Sequence, residues 1–102
     1  MARARELTES WGGQFVLLYI PVDARYRGLL DKSFVYDRLR YQVLDAAEAN
    51  GIDVIDLAQE FDDRDDPTEF YAPDAHFNAE GNAVAAQAIA RWIGSVEEQS
   101  RP

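Results

Sequence analysis

Hydrophobic and polar positions along the chain fall into separate blocks, each with its own period. Ala4, Leu7 and Trp11 recur at helical spacing with charged residues between them, and Gly12 and Gly13 follow as stops. The pattern predicts a short amphipathic helix over about 2–11. Phe15 to Ile20, FVLLYI, is an unbroken apolar run of β-forming residues ended by Pro21. It reads as a strand over about 14–20, covered on both faces. Residues 22–32 have no clear period and read as loop, with Ser33 as the N-cap of the next helix. That helix, about 34–50, is expected to bury Val35, Leu39, Val43, Ala46 and Ala47, to expose Asp37, Arg38, Arg40 and Glu48, and to stop at Gly51. IDVIDL then predicts a second strand over about 52–57. A strand, a helix of this length and another strand make a crossover unit whose strands run parallel. Asn78 can cap a last helix over about 79–93, whose apolar stripe is Val84, Ala85, Ala88, Ile89, Trp92 and Ile93, ahead of a frayed tail from Gly94.

The fold class is therefore α/β, with a short parallel sheet. Two parallel strands do not make an independently stable sheet, and FVLLYI calls for neighbours on both sides. Three arrangements complete it: further strands upstream in a longer parent, a second copy in a homodimer, or a different protein. A length of 102 residues suits one domain and has no room for two.

Composition narrows the function classes. The hydrophobic fraction of 47% and charged fraction of 28% are those of an ordinary globular protein, and no apolar run approaches the roughly 20 residues of a membrane span. A formal charge of −9 argues against nucleic acid as a partner, because that binding is driven by neutralising phosphates. With no cysteine, the chain cannot form disulfides, thiolate metal sites or a cysteine nucleophile. The N-terminal MARARELTES lacks the apolar segment of a secretory signal, so the chain as written is expected in the cytoplasm; a longer parent could be exported.

Candidate chemistry gathers at Phe70 to Ile93. Here the only histidine, His76, follows a carboxylate, Asp74, by two residues and directly precedes a helix. An Asp so placed can reach an imidazole nitrogen, fix its tautomer and stabilise the protonated ring. The same pair also suits a structural loop histidine. Asp62 to Asp66 holds four aspartates in five residues but lacks the alternation, turn glycine and closing Glu of a calcium loop, so no metal is assigned and the run reads as a solvated loop. A lone histidine makes zinc improbable, and no cofactor is implied. Of the serines, Ser10, Ser33, Ser95 and Ser100, none stands on the sharp strand-to-helix turn that exposes a nucleophile. Tyr19, Tyr26, Phe70 and Tyr71 read as core or rim residues that could also line a cleft at the strand ends.

The block PDAHFNAEGNAVAAQAIARWI resembles the C-terminal part of the SGNH (GDSL-type) hydrolase superfamily, closest to bacterial branches with one residue between Asp and His, including alginate O-acetyltransferase domains. The likeness extends loosely through FVLLYIP and GIDVIDL; only the Asp-x-His block is specific. The resemblance implies a flavodoxin-like three-layer fold, of which residues 1–102 would be the C-terminal portion. It also implies ester chemistry in which a serine attacks an acyl carbon, His76 is the general base and Asp74 orients it. The substrate would be an acylated small molecule or carbohydrate. The family's Gly-Asp-Ser block and its oxyanion-hole Gly and Asn blocks do not occur here. The resemblance thus implies a segment that is inactive alone, the alternative being a non-catalytic α/β module, self-pairing or not.

Overall fold

The segments at residues 16–19 and 53–56 meet as neighbours and form the sheet on which the first core cluster packs. The computed structural model describes residues 1–27 and 33–99. In chain order the elements are α1 (Ala2–Ser10), β1 (Val16–Tyr19), α2 (Ser33–Ala49), β2 (Asp53–Asp56), α3 (Leu57–Asp62) and α4 (Ala79–Gln99), with short 3-10 turns at Asp23–Arg25 and Pro67–Phe70. β1 and β2 run parallel, Leu17 opposite Val54 and Leu18 opposite Ile55. The mixed α/β class and the parallel crossover are as the periodicity predicts.

Strand alternation sends Val16, Leu18 and Ile55 to one face. There they pack with Leu57, Ala85, Ala88, Ile89 and Trp92, so α4 closes that side. Trp92 Nε1 donates to Asp53 Oδ2 at 3.0 Å and fixes the helix along the strand. α2 serves the other face and ends where expected: Gly51 adopts φ +66°, and the Ile52 N–H reaches back to the Ala47 carbonyl at 2.9 Å. That is the left-handed termination a glycine permits. A second cluster, Phe61, Phe70, Tyr71 and Val84 with Tyr26 and Phe77 against it, lies beyond the sheet. Phe61 is its centre, fully buried and stacked on Phe70 with ring centroids 4.8 Å apart.

Several expectations are corrected. Both strands are shorter than the apolar runs, and every residue of β1 is only half-buried, because the described sheet has two strands and β1 has a neighbour on one edge alone. α1 buries nothing; Leu7 and Trp11 stand 51% and 73% exposed. In α2, Ala47 is buried and Val43 and Ala46 half-buried, whereas Leu39 faces solvent. Asp37 and Arg40, expected outside, turn inward because their charges have partners there. The side chains of Ser33 and Val35 lie outside the described residues. The segment after β2 is helical rather than strand-ended at Leu57, and α4 continues to Gln99 through the tail expected to fray. Within its stripe Val84 and Ala88 are buried, but Ile93 is 46% exposed.

The inward face of α2 explains how the strand ends are held. Arg25, 7% exposed, lies 2.7 Å from Asp37 and donates to Asp62 at 3.0 Å. Arg40 bridges Asp37 at 3.1 Å and Asp56 at 2.5 Å. Asp56, the last residue of β2, also caps α3 by accepting from the Ala58 N–H at 3.1 Å. Charges thus alternate from Asp62 through Arg25, Asp37 and Arg40 to Asp56. Burial raises the Asp37 carboxyl, but hydrogen bonds from Arg25 and Arg40 outweigh it, leaving its pKa below the ordinary value. Arg25 is held protonated by Asp37 and Asp62 against its burial.

Candidate functional site

The loop that carries Asp74 and His76 is a hairpin tip. Tyr71 and Phe77 form an antiparallel bridge, and the Ala72 N–H donates to the His76 carbonyl at 2.7 Å. Inside this closure the Ala75 N–H donates to the Ala72 carbonyl at 3.0 Å, making a turn with Pro73 and Asp74 at its centre. Pro73 presets its own φ for the first central position. Ala75 then takes φ +72°, the one positive φ at a non-glycine residue among those described. This is the three-residue hairpin loop whose last position favours glycine, filled here by a residue with a Cβ.

The tip brings the two candidate residues together. His76 Nδ1 lies 3.2 Å from Asp74 Oδ2, and the His76 backbone N–H donates to Asp74 Oδ1 at 3.2 Å. One carboxylate therefore holds both the backbone and the ring of His76, leaving Nε2 as the nitrogen available for proton exchange. The backbone N–H first, and the imidazole second, keep the Asp74 carboxyl below the usual carboxylate range. The side chains are 85% and 70% exposed, and an ion pair that open contributes little stability. The positive φ at Ala75 belongs to the three-residue hairpin loop itself, which sets Asp74 and His76 side by side.

Three anchors hold the tip on the fold. The Tyr71 hydroxyl, buried, donates to the Pro21 carbonyl at 2.6 Å and so ties the loop to the end of β1. Asn78 caps α4 as expected, accepting from the Gly81 N–H at 2.9 Å, while its amide donates to the Glu69 carbonyl at 2.6 Å. Gly81 sits so close to the chain before it that a Cβ would lie 2.3 Å from the Phe70 carbonyl oxygen. Glycine at the start of α4 is a packing requirement.

Beside the pair lies a cleft of about 590 Å³. One wall is Ile20, Pro21 and Val22, the residues that leave β1; Tyr71, Ala75, His76 and Phe77 of the hairpin face them, and Asn82 of α4 closes the end. Of the aromatic residues considered from sequence, only Tyr71 lines it. Phe70 is core, Tyr26 packs on Phe61 and donates to Asp62 at 3.0 Å, and Tyr19 belongs to β1. The wall at 20–22 was hidden in sequence, because an apolar run that ends a strand looks like core. Among the described residues no serine lines the cleft. Ser10 and Ser95 donate to the carbonyls of Leu7 and Trp92 in their own helices, and Ser100 lies outside the described residues. The aspartate run has structural uses: Asp62 holds Arg25 and Tyr26, and Asp66 caps the turn at Pro67–Phe70. Among the described residues no group of three or more His, Asp or Glu converges as metal ligands, and no helix is long and apolar enough to cross a membrane.

Comparison with curated proteins and with solved structures found no significant match. The chain does match a family described as SGNH hydrolase-like domain, acetyltransferase AlgX, over residues 5–101, a span that includes β1, β2, the hairpin and α4. With nearly its whole length covered, the chain belongs to the SGNH hydrolase-like domain family of the acetyltransferase AlgX.

Proposed function

We propose that Asp74 and His76 are the acid and base of a Ser-His-Asp site for hydrolysis or transfer of an ester-linked acyl group. The observation that carries this reading is the exposed pair itself, Nδ1 to Oδ2 at 3.2 Å, held by a strained turn at the mouth of a cleft. In the reaction, Nε2 takes the proton of a serine hydroxyl as its oxygen attacks the acyl carbon. Asp74 stabilises the imidazolium formed, and His76 returns the proton to the departing alcohol. The acyl-serine is then released to water or to an acceptor hydroxyl, the incoming group's proton passing back to His76. The nucleophile and the oxyanion donors come from a segment outside these residues, so residues 1–102 form the C-terminal portion of a larger catalytic domain. The substrate is an acylated small molecule or carbohydrate.

A second reading, a non-catalytic α/β module, is favoured by one observation: among the described residues no serine lines the cleft. Two checks separate them. The coding sequence immediately upstream of residue 1 should encode a strand followed by a Gly-Asp-Ser block, and the isolated chain should not hydrolyse aryl acetates above the buffer rate. A parent without any such block would favour the module. Hydrolysis by the isolated chain, lost in His76→Ala, would show that the segment needs no outside nucleophile.

A further inference from the structure

We infer that Tyr71 is a positioning residue for His76, its buried hydroxyl setting where the imidazole stands against the sheet. The inference rests on the reading of His76 as the base. Asp74 and His76 find each other through the hairpin loop alone, which sets Nδ1 and Oδ2 3.2 Å apart. That loop does not fix the pair against the strand ends, where a serine that follows a strand of the same sheet has to meet Nε2. A misplacement of about 1 Å at such a site costs about 10²-fold in rate. The bonds of Ala72 and Asn78 that close the hairpin stay within nine residues of chain. The Tyr71 hydroxyl instead spans 50 residues, donating to the Pro21 carbonyl at 2.6 Å just beyond β1. Tyr71 is 6% exposed and Pro21 fully buried, so water cannot stand in for either partner. The ring is held edge-on by Phe61, with centroids 6.0 Å apart, and by Phe77 at 5.3 Å. Phe77 pairs with Tyr71 across the hairpin and is the next residue after His76, so a shift of the Tyr71 ring is passed to the imidazole. Phenylalanine would pack as well among these rings; what the hydroxyl adds is the tie to the strand end.

The test separates a tie from a core contact. Tyr71→Phe keeps the ring and removes the tie, whereas Val84→Ala weakens the same buried cluster without touching it. In the isotope-labelled 102-residue chain, N–H residual dipolar couplings of residues 72 and 74–77 should share one alignment with those of α2, β1 and α4, and should still do so in Val84→Ala. In Tyr71→Phe they should depart from it, while the helices still fit and the imidazole nitrogen-15 shifts, which read the bond to Asp74, stay in place. In the serine-bearing protein, Tyr71→Phe should lower kcat about 10- to 100-fold with KM changed less than about twofold. Added to His76→Ala it should lower kcat no further, because it acts through the imidazole. Hairpin couplings that keep the common alignment in Tyr71→Phe, or losses that multiply in the double variant, would overturn the inference. Helices that no longer fit in Tyr71→Phe would overturn it too, since the hydroxyl would then hold the fold rather than the pair. An unchanged kcat in Tyr71→Phe beside an inactive His76→Ala would sink the positioning role and leave the base in place. Turnover by His76→Ala at the unaltered rate would strike the reading of the base itself.

Discussion

At the scale of single residues, Ala75 decides the geometry of the pair. Its φ of +72° is a conformation in which a Cβ crowds the following carbonyl, a cost of roughly 1–2 kcal/mol that glycine avoids. Glycine also gives the unfolded chain more freedom to lose, worth about 0.4–1 kcal/mol. Ala75→Gly should therefore stabilise the protein by no more than about 1.6 kcal/mol, read as a raised midpoint in urea. A β-branched Ala75→Val should lower that midpoint. Asp74 and His76 were legible because both lie within three residues of chain, where spacing alone constrains distance. The αL turn that orients them was not, since Pro-Asp-Ala carries no glycine to announce it. Ile20 and Val22 were hidden for the reason already given: whether an apolar residue ends in core or in a cleft wall depends on what packs on it.

At the scale of elements, the periodicity found the long helices and the paired strands, and it missed what distant partners decide. α3 was unread although Asp56 is a standard cap, because IDVIDL reads as strand up to Leu57 and six helical residues leave little periodic trace. α2 was rotated in expectation, its Asp37 and Arg40 turned outward, because their partners Arg25 and Asp56 lie 12 and 16 residues away in the sequence. The alternating chain of charges they form makes a prediction about acid. Arg25→Ala should cost about 3 kcal/mol, the low end for a broken buried pair, since Asp37 and Asp62 keep some access to water. The pKa of Asp37 is depressed in the folded protein, so its contribution is complete above the ordinary carboxylate value of about 3.9 and is lost as pH falls through the lower folded value. Equilibrium unfolding at pH 7 and pH 3 should show that Arg25→Ala loses less stability in acid than at neutrality. An equal loss at both would mean that packing, not charge, is what Arg25 supplies.

At the scale of the whole molecule, the surface is larger than the chain's mass warrants. A folded monomer of 11.5 kDa exposes about 5,800 Å², whereas this chain exposes 7030 Å². Its radius of gyration, 15.4 Å, also exceeds the about 13 Å expected for its length. The surplus, about 1,200 Å², is more than one side of a standard protein interface. Part of it is the half-buried β1 with its unpaired edge and the bare stripe of α1. Hydrogen exchange on the isolated chain should therefore find alternate amides of β1 exchanging fast, those not paired to β2, and should find them protected once an added strand or a second copy covers the edge. Uniform protection along β1 in dilute monomer would contradict an open edge. The central claim is the proposed acid–base role of the pair that this scaffold presents, and the rate of acyl-ester hydrolysis or transfer by the larger serine-bearing protein that the proposal requires tests it most directly. His76→Ala should lower kcat by at least about 10³-fold and Asp74→Asn by about 10²–10⁴-fold, with circular dichroism unchanged because both side chains are exposed. A His76→Ala protein that turns over at the parent rate would contradict it.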